Sequence, residues 1–201
     1  MNKKKIAHTN EKKYFFNEFC LISRRFLAEN MYKVFSKPFI KDIILAVSGS
    51  SASMHAAKFA IMLAKNFKCR IQAVYVADTA SLDCLIAEKI FVETESKEWE
   101  VELENHGRRC LAFTKELARA KGVRISAELR KGKVSEELVK AAKEKKAQMI
   151  VICGVDIDKC SDCVVAQNRE EIQRNAKCSV LLVNDENIDT IYRGRNEKNR
   201  A

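Results

Sequence analysis

The chain has 201 residues, 47% of them apolar and 32% charged, with six glycines and one proline. That length supports one domain with a sizeable core plus appendages, and the scarcity of turn formers excludes a β-sandwich built on many tight turns. The net charge is +10, but residues 1–41 hold ten Lys/Arg against three acids and so carry +7 of it. The basic character therefore belongs to an N-terminal appendage, and nucleic acid is not an expected partner.

In chain order, the N-terminal segment comes first. Phe15, Phe19, Ile22 and Phe26, with Phe16, Cys20, Leu27 and Met31, form a broad helical apolar face. Arg24, Arg25, Lys33 and two lysine clusters lie beside or before it. Residues 1–38 are read as a basic amphipathic extension that packs as an extra helix. The alternative is docking of residues 12–35 on an acidic membrane surface or an acidic protein.

From Ile40 the pattern alternates between strands and helices. "IILAV" (43–47) is a continuous apolar run, as in a strand buried on both faces, and it ends at Ser48-Gly49-Ser50. The next helix has Ser51 or Ser53 as its expected cap and a stripe of Ala56, Ala60, Leu63 and Phe67. "CRIQAVYVA" (69–77) is a second strand, followed by an irregular connection with a short helix around Leu82–Ile90. Trp99, Leu103, His106, Cys110, Phe113 and Leu117 then recur at helical spacing, and Lys121-Gly122 ends that helix. On this stripe Trp99 is expected in the core, and His106 is expected as a buried or boundary histidine with one hydrogen bond.

"VRISAEL" (123–129) is a third strand and Lys131-Gly132-Lys133 a turn. Val134, Leu138, Ala141 and Ala142 mark a helix, "QMIVIC" (148–153) a fourth strand, residues 168–176 a short helix, and "SVLLV" (179–183) a fifth strand. This βαβαβαβαβ order predicts an α/β fold with a parallel sheet and helices on both faces. The tail 185–201 is polar and expected to be loose.

Three segments resemble the universal stress protein family. "KDIILAVSGSSASMHAAKFAIMLAKNFKCRIQAVYVAD" looks like its opening strand, small-residue loop, alanine-rich helix and second strand. "LRKGKVSEELVKAAKEKKAQMIVIC" resembles its middle signature, and "IQRNAKCSVLLV" its closing helix and strand. The resemblance covers residues 39–184 and implies a five-stranded sheet of order 3-2-1-4-5. It also implies a homodimer through the last strand, Ser179, Val180, Leu181, Leu182 and Val183. A ligand crevice would lie at the switch point between strands one and four, flanked by the loops after Val47 and Cys153.

Nucleotide-binding members of that family carry G-x2-G-x9-G-[ST] after strand four and an Asp after strand one. Glycines let backbone N–H groups approach phosphates, and the following helix N-terminus favours their charge. In this chain Gly154 keeps the first glycine, while Ile157, Gln167 and Asn168 occupy the later positions and Ser48 replaces the Asp. Asp156, Asp158 and Asp162 add charge that opposes a triphosphate. The chain is more similar to members without nucleotide binding, so no cofactor is expected, ATP being the alternative. Ser48, Gly49, Ser50, Gly154, Gln167 and Asn168 remain candidates for a small polar ligand.

Cys160-Ser-Asp-Cys163 has metal or redox spacing, but a four-cysteine site would also need Cys153 and Cys178. Those two fall at opposite ends of neighbouring parallel strands, about 15–20 Å apart. No metal is expected. No Ser/His/Asp set can be assembled from His8, His55 and His106, and no catalysis is expected. Several of the eight cysteines sit in apolar runs, "YFFNEFCLI" is broken by Asn17 and Glu18, and no apolar run approaches the roughly 20 residues that span a bilayer. The reading is a cytoplasmic, dimeric binding or regulatory protein of the stress response with an unidentified protein partner. The alternative is an ATP-binding, weakly hydrolysing switch.

Overall fold

The computed structural model describes residues 39–90, 93–154, 165, 168–184 and 187–193. The N-terminal extension, the Cys160/Cys163 pair, Asp156, Ile157, Asp158, Asp162 and Gln167 lie outside the described residues. The elements run β1 (Asp42–Val47), α1 (Ser51–Phe67), β2 (Arg70–Ala77), α2 (Thr79–Ala87), α3 (Glu93–Ala120), β3 (Ile125–Lys131), α4 (Val134–Lys145), β4 (Met149–Cys153), α5 (Arg169–Asn175), β5 (Ser179–Val183) and α6 (Ile188–Arg193).

All five strands are parallel, in the order β3-β2-β1-β4-β5 that the resemblance implies. The apolar runs of β1 and β4 are strands covered on both faces. Ile43, Ile44 and Leu45 of β1 and Ile150, Val151 and Ile152 of β4 are almost wholly removed from water. Right-handed crossovers run one way from β1 to β3 and back from β3 to β5, so α1 and α3 share one face and α4 and α5 the other. The packing agrees, since α1 touches α3 and α4 touches α5.

Helix ends follow local chemistry. Lys68 and Lys146 close α1 and α4 in the left-handed conformation, and Gly122 (φ +71°) ends α3. The cap of α1 is Ser50, one residue before the expected Ser51 and three before the alternative Ser53. Its side chain accepts the Ser53 N–H at 3.1 Å, while Ser53 lies inside the first turn.

Two expected stripes are rotated. In α3 the buried line is Ser96, Gly107, Leu111, Thr114 and Ala118, whereas Trp99 and Phe113 are 53% and 51% exposed. The cause is close approach to the sheet: a Cβ on Gly107 would overlap the Tyr75 ring and come 2.8 Å from Leu129. Small residues face β2 and β3, and the large apolar ones flank them. In α1 the buried line is Ala52, Ser53, Ala56, Ala57, Ala60, Ile61 and Ala64, and Phe67 is exposed.

The tail is not wholly loose. Residues 187–193 form the turn and helix α6, with Ile188 buried against the domain. Asp189 pairs with Lys58, the Tyr192 hydroxyl donates to the Leu117 carbonyl, and Lys121 stands 4.6 Å over the Tyr192 ring. This helix covers α1.

Candidate functional site

β1 and β4 are adjacent and parallel, so the loops after Val47 and Cys153 emerge at the same end of the sheet. The first loop is closed by its own hydroxyls. Ser48 N–H donates to Ser53 Oγ at 3.0 Å, Ser53 N–H donates to Ser50 Oγ, and the Ser48 and Ser50 hydroxyls lie 3.1 Å apart. These hydroxyls thus tie the loop to the first turn of α1, which Ser50 caps.

In the second loop, Gly154 donates its backbone N–H to the Val183 carbonyl at 3.0 Å. A Cβ at this position would overlap the Asn184 amide oxygen and come within 3.0 Å of Leu182 Cβ. The surviving glycine therefore has a packing reason to be glycine, and its amide extends the β4–β5 ladder instead of facing an anion. Asn168 caps α5 through its backbone: its carbonyl accepts the Ile172 N–H at 3.0 Å, and its side chain makes no cap hydrogen bond. Of the six candidate ligand residues, Ser48, Gly49 and Ser50 are contiguous, and Gly154 and Asn168 belong to a separate loop.

Gly49 serves another purpose. Its φ is +84°, and a Cβ there would fall 2.5 Å from His106 Nε2 and 2.7 Å from Cys110 Sγ. The loop thus lies directly on α3, and its missing side chain makes room for a His–Cys pair. Helical i, i+4 spacing puts these two side chains on one face. Their Nε2 and Sγ atoms are 3.3 Å apart, and the His106 ring meets the Tyr75 ring edge-on at 6.0 Å. His106 is a boundary histidine, as its place on the stripe suggests.

A cavity of about 310 Å³ opens beside this pair, between α1 and α3. Val47, Met54, Ala57 and Phe113 supply apolar wall, and Gly49, Ser50, Ser53, His106, Arg109, Cys110 and Thr114 complete it. Neither Gly154 nor Asn168 lines it. Burial pushes the Cys110 thiol above its ordinary range, with the Arg109 charge opposing. The cavity is hidden in the sequence because His106 and Cys110 stand there as two positions of one apolar stripe. Their spacing of four was the available signal.

Cys153 and Cys178 stand at opposite ends of neighbouring strands. Cys153 pairs in register with Val183, while Cys178 precedes Ser179 at the other end of β5. Among the described residues, no group of three or more His, Cys, Asp or Glu side chains is arranged to hold an ion. No helix among the described residues is long and apolar enough to cross a membrane.

The universal stress protein family model matches residues 40–184. Universal stress protein MJ0531 of Methanocaldococcus jannaschii is 32% identical over 158 residues, which span 77% of this chain and 84% of that protein. Among solved structures, universal stress protein UspA from Lactobacillus plantarum has a TM-score of 0.58 at 16% identity, over 72% of this chain and 97% of that one. A universal stress protein in complex with cAMP has a TM-score of 0.51 at 17% identity, over 72% of this chain and 96% of that one. Those two likenesses carry the fold alone. The family model and the Methanocaldococcus jannaschii relative give the assignment: the chain belongs to the universal stress protein family.

Proposed function

We propose that this protein acts in the cytoplasm as a homodimeric binding module that regulates a protein partner in the stress response, without binding or hydrolysing ATP. The observation that carries this reading is the Gly154 amide. It donates to the Val183 carbonyl, so the one glycine kept from the phosphate loop is committed to the sheet. The acids beyond it oppose a triphosphate further.

The dimer reading is supported by the β5 edge. Ser179 N–H donates to Gln148 and Val183 C=O accepts from Gly154, so odd-numbered residues of β5 face β4. Alternation then points the N–H and C=O groups of Val180 and Leu182 outward. β5 ends the sheet order, and an apolar edge strand of this kind suits pairing with a twofold mate. Light scattering on the full chain is expected to give twice the monomer mass. Leu182→Pro, which removes one outward donor and spares the β4 ladder, is expected to give the monomer. A wild-type monomer at micromolar concentration sinks the dimer.

A second reading is a nucleotide-dependent switch, favoured by the similar structure in complex with cAMP. Calorimetric titration with cAMP and AMP separates the two readings. Saturable micromolar binding supports the switch, and no heat supports the binding module.

A further inference from the structure

The α1–α3 cavity lies apart from the Gly154 loop and combines three things: an apolar chamber, a thiol, and a proton acceptor in contact with that thiol. We propose that Cys110 is a covalent acceptor site for small, soft carbon electrophiles, the class of conjugated aldehydes, with His106 as its base. This goes beyond the dimer reading and does not depend on it.

The chemistry follows from the wall. Val47, Met54, Ala57 and Phe113 favour an apolar chain, and a volume of about 310 Å³ sits at the small end of ordinary ligand sites. The Cys110 sulfur borders the cavity with His106 Nε2 at 3.3 Å. In its Nδ1–H tautomer the imidazole accepts the thiol proton through Nε2. Sulfur then bonds to the β-carbon of the aldehyde, and the carbon–carbon π pair moves to place negative charge on the carbonyl oxygen. Arg109, on the same wall and paired with Glu102 at 2.8 Å, supplies positive charge to the cavity rim. His106 returns its proton to the α-carbon. The sum is addition of S–H across a double bond, with no oxidant, reductant or leaving group.

Burial raises the thiol and keeps free thiolate scarce, which makes the base necessary. Phe113 is half-exposed, and Arg109 is exposed, so the chamber has a route to solvent. Gly49 belongs to the same arrangement, because any side chain there would fill the space that His106 and Cys110 occupy.

The same molecule holds its own reference, since Cys84 is an exposed free cysteine of α2. The full chain is treated with trans-2-hexenal, and each cysteine-containing peptide is followed by mass spectrometry. Cys110 is expected to react on the order of tenfold or more faster than Cys84, because a positioned base and a fitted chamber act on it alone. His106→Gln is expected to abolish that lead and leave the Cys84 rate unchanged. A maleimide carried on a long polyethylene glycol, too bulky for the chamber, is expected to reverse the order in the wild-type chain. The reversal needs no variant to fold. Cys110 reacting no faster than Cys84 with hexenal, keeping its lead in His106→Gln, or taking the bulky maleimide as readily as Cys84 overturns the proposal.

Discussion

Two glycines of the paired loops look alike in sequence and differ in what they do. Gly49 adopts φ +84° and lies against His106 and Cys110, whereas Gly154 packs on Asn184 and donates to β5. Gly49→Ala is expected to lower unfolding stability by about 1–3 kcal/mol, from backbone strain and overlap together. A urea midpoint equal to wild type would refute the close approach. Beneath the same pair, burial and the nearby Cys110 charge push the Tyr75 phenol up to about 12 from an ordinary 10.0. Its folded pKa is raised, so the unfolded chain releases that proton first. The stabilising contribution is therefore complete below about pH 10 and is lost as pH rises toward about 12. Tyr75→Phe is expected to flatten the decline of the urea midpoint across that window. An unchanged slope would mean that Tyr75 is not the buried phenol described.

At the scale of elements, β3 and α4 are tied by a charge cluster. Arg130 extends from β3 with a side chain 9% exposed, 2.7 Å from Glu128 and 3.2 Å from Glu137, and it also pairs with Glu144. Removing the cation takes the shared partner from three carboxylates, of which Glu137 keeps Lys140 and Glu128 keeps Gln72, so Arg130→Met is expected to cost about 3 kcal/mol in chemical denaturation. A cost near zero would mean that solvent already screens the cluster. Legibility differed by element for physical reasons. β1 and β4 were readable because strands covered on both faces must be apolar throughout. The orientation of α3 was not, because its buried line of Ser96, Gly107, Leu111, Thr114 and Ala118 holds one large apolar residue and so carries a weaker apolar periodicity than the exposed side. Helix α6 escaped for a similar reason. Its anchors are one buried isoleucine, one ion pair and one tyrosine hydroxyl, and these are long-range contacts.

At the scale of the molecule, the sheet order and the switch point between β1 and β4 were legible from three quoted segments, and the fold carries them. The use of that switch point was only partly legible. The loss of later glycines could be read from Ile157 and Gln167, but the commitment of Gly154 to Val183 required the β4–β5 register. The His106–Cys110 chamber required the contact between the β1–α1 loop and α3, which joins residues far apart in sequence. The protein thus keeps the family's frame: the β1–α1 loop caps α1 and lies on α3, and Gly154 extends the β4–β5 ladder.

The measurement that bears most directly on this account is equilibrium dialysis of the full chain against labelled ATP, with and without magnesium. The account predicts no saturable binding up to millimolar ATP in either condition. Saturable micromolar binding that disappears in Gly154→Val would contradict it, because the Gly154 loop would then be holding phosphate.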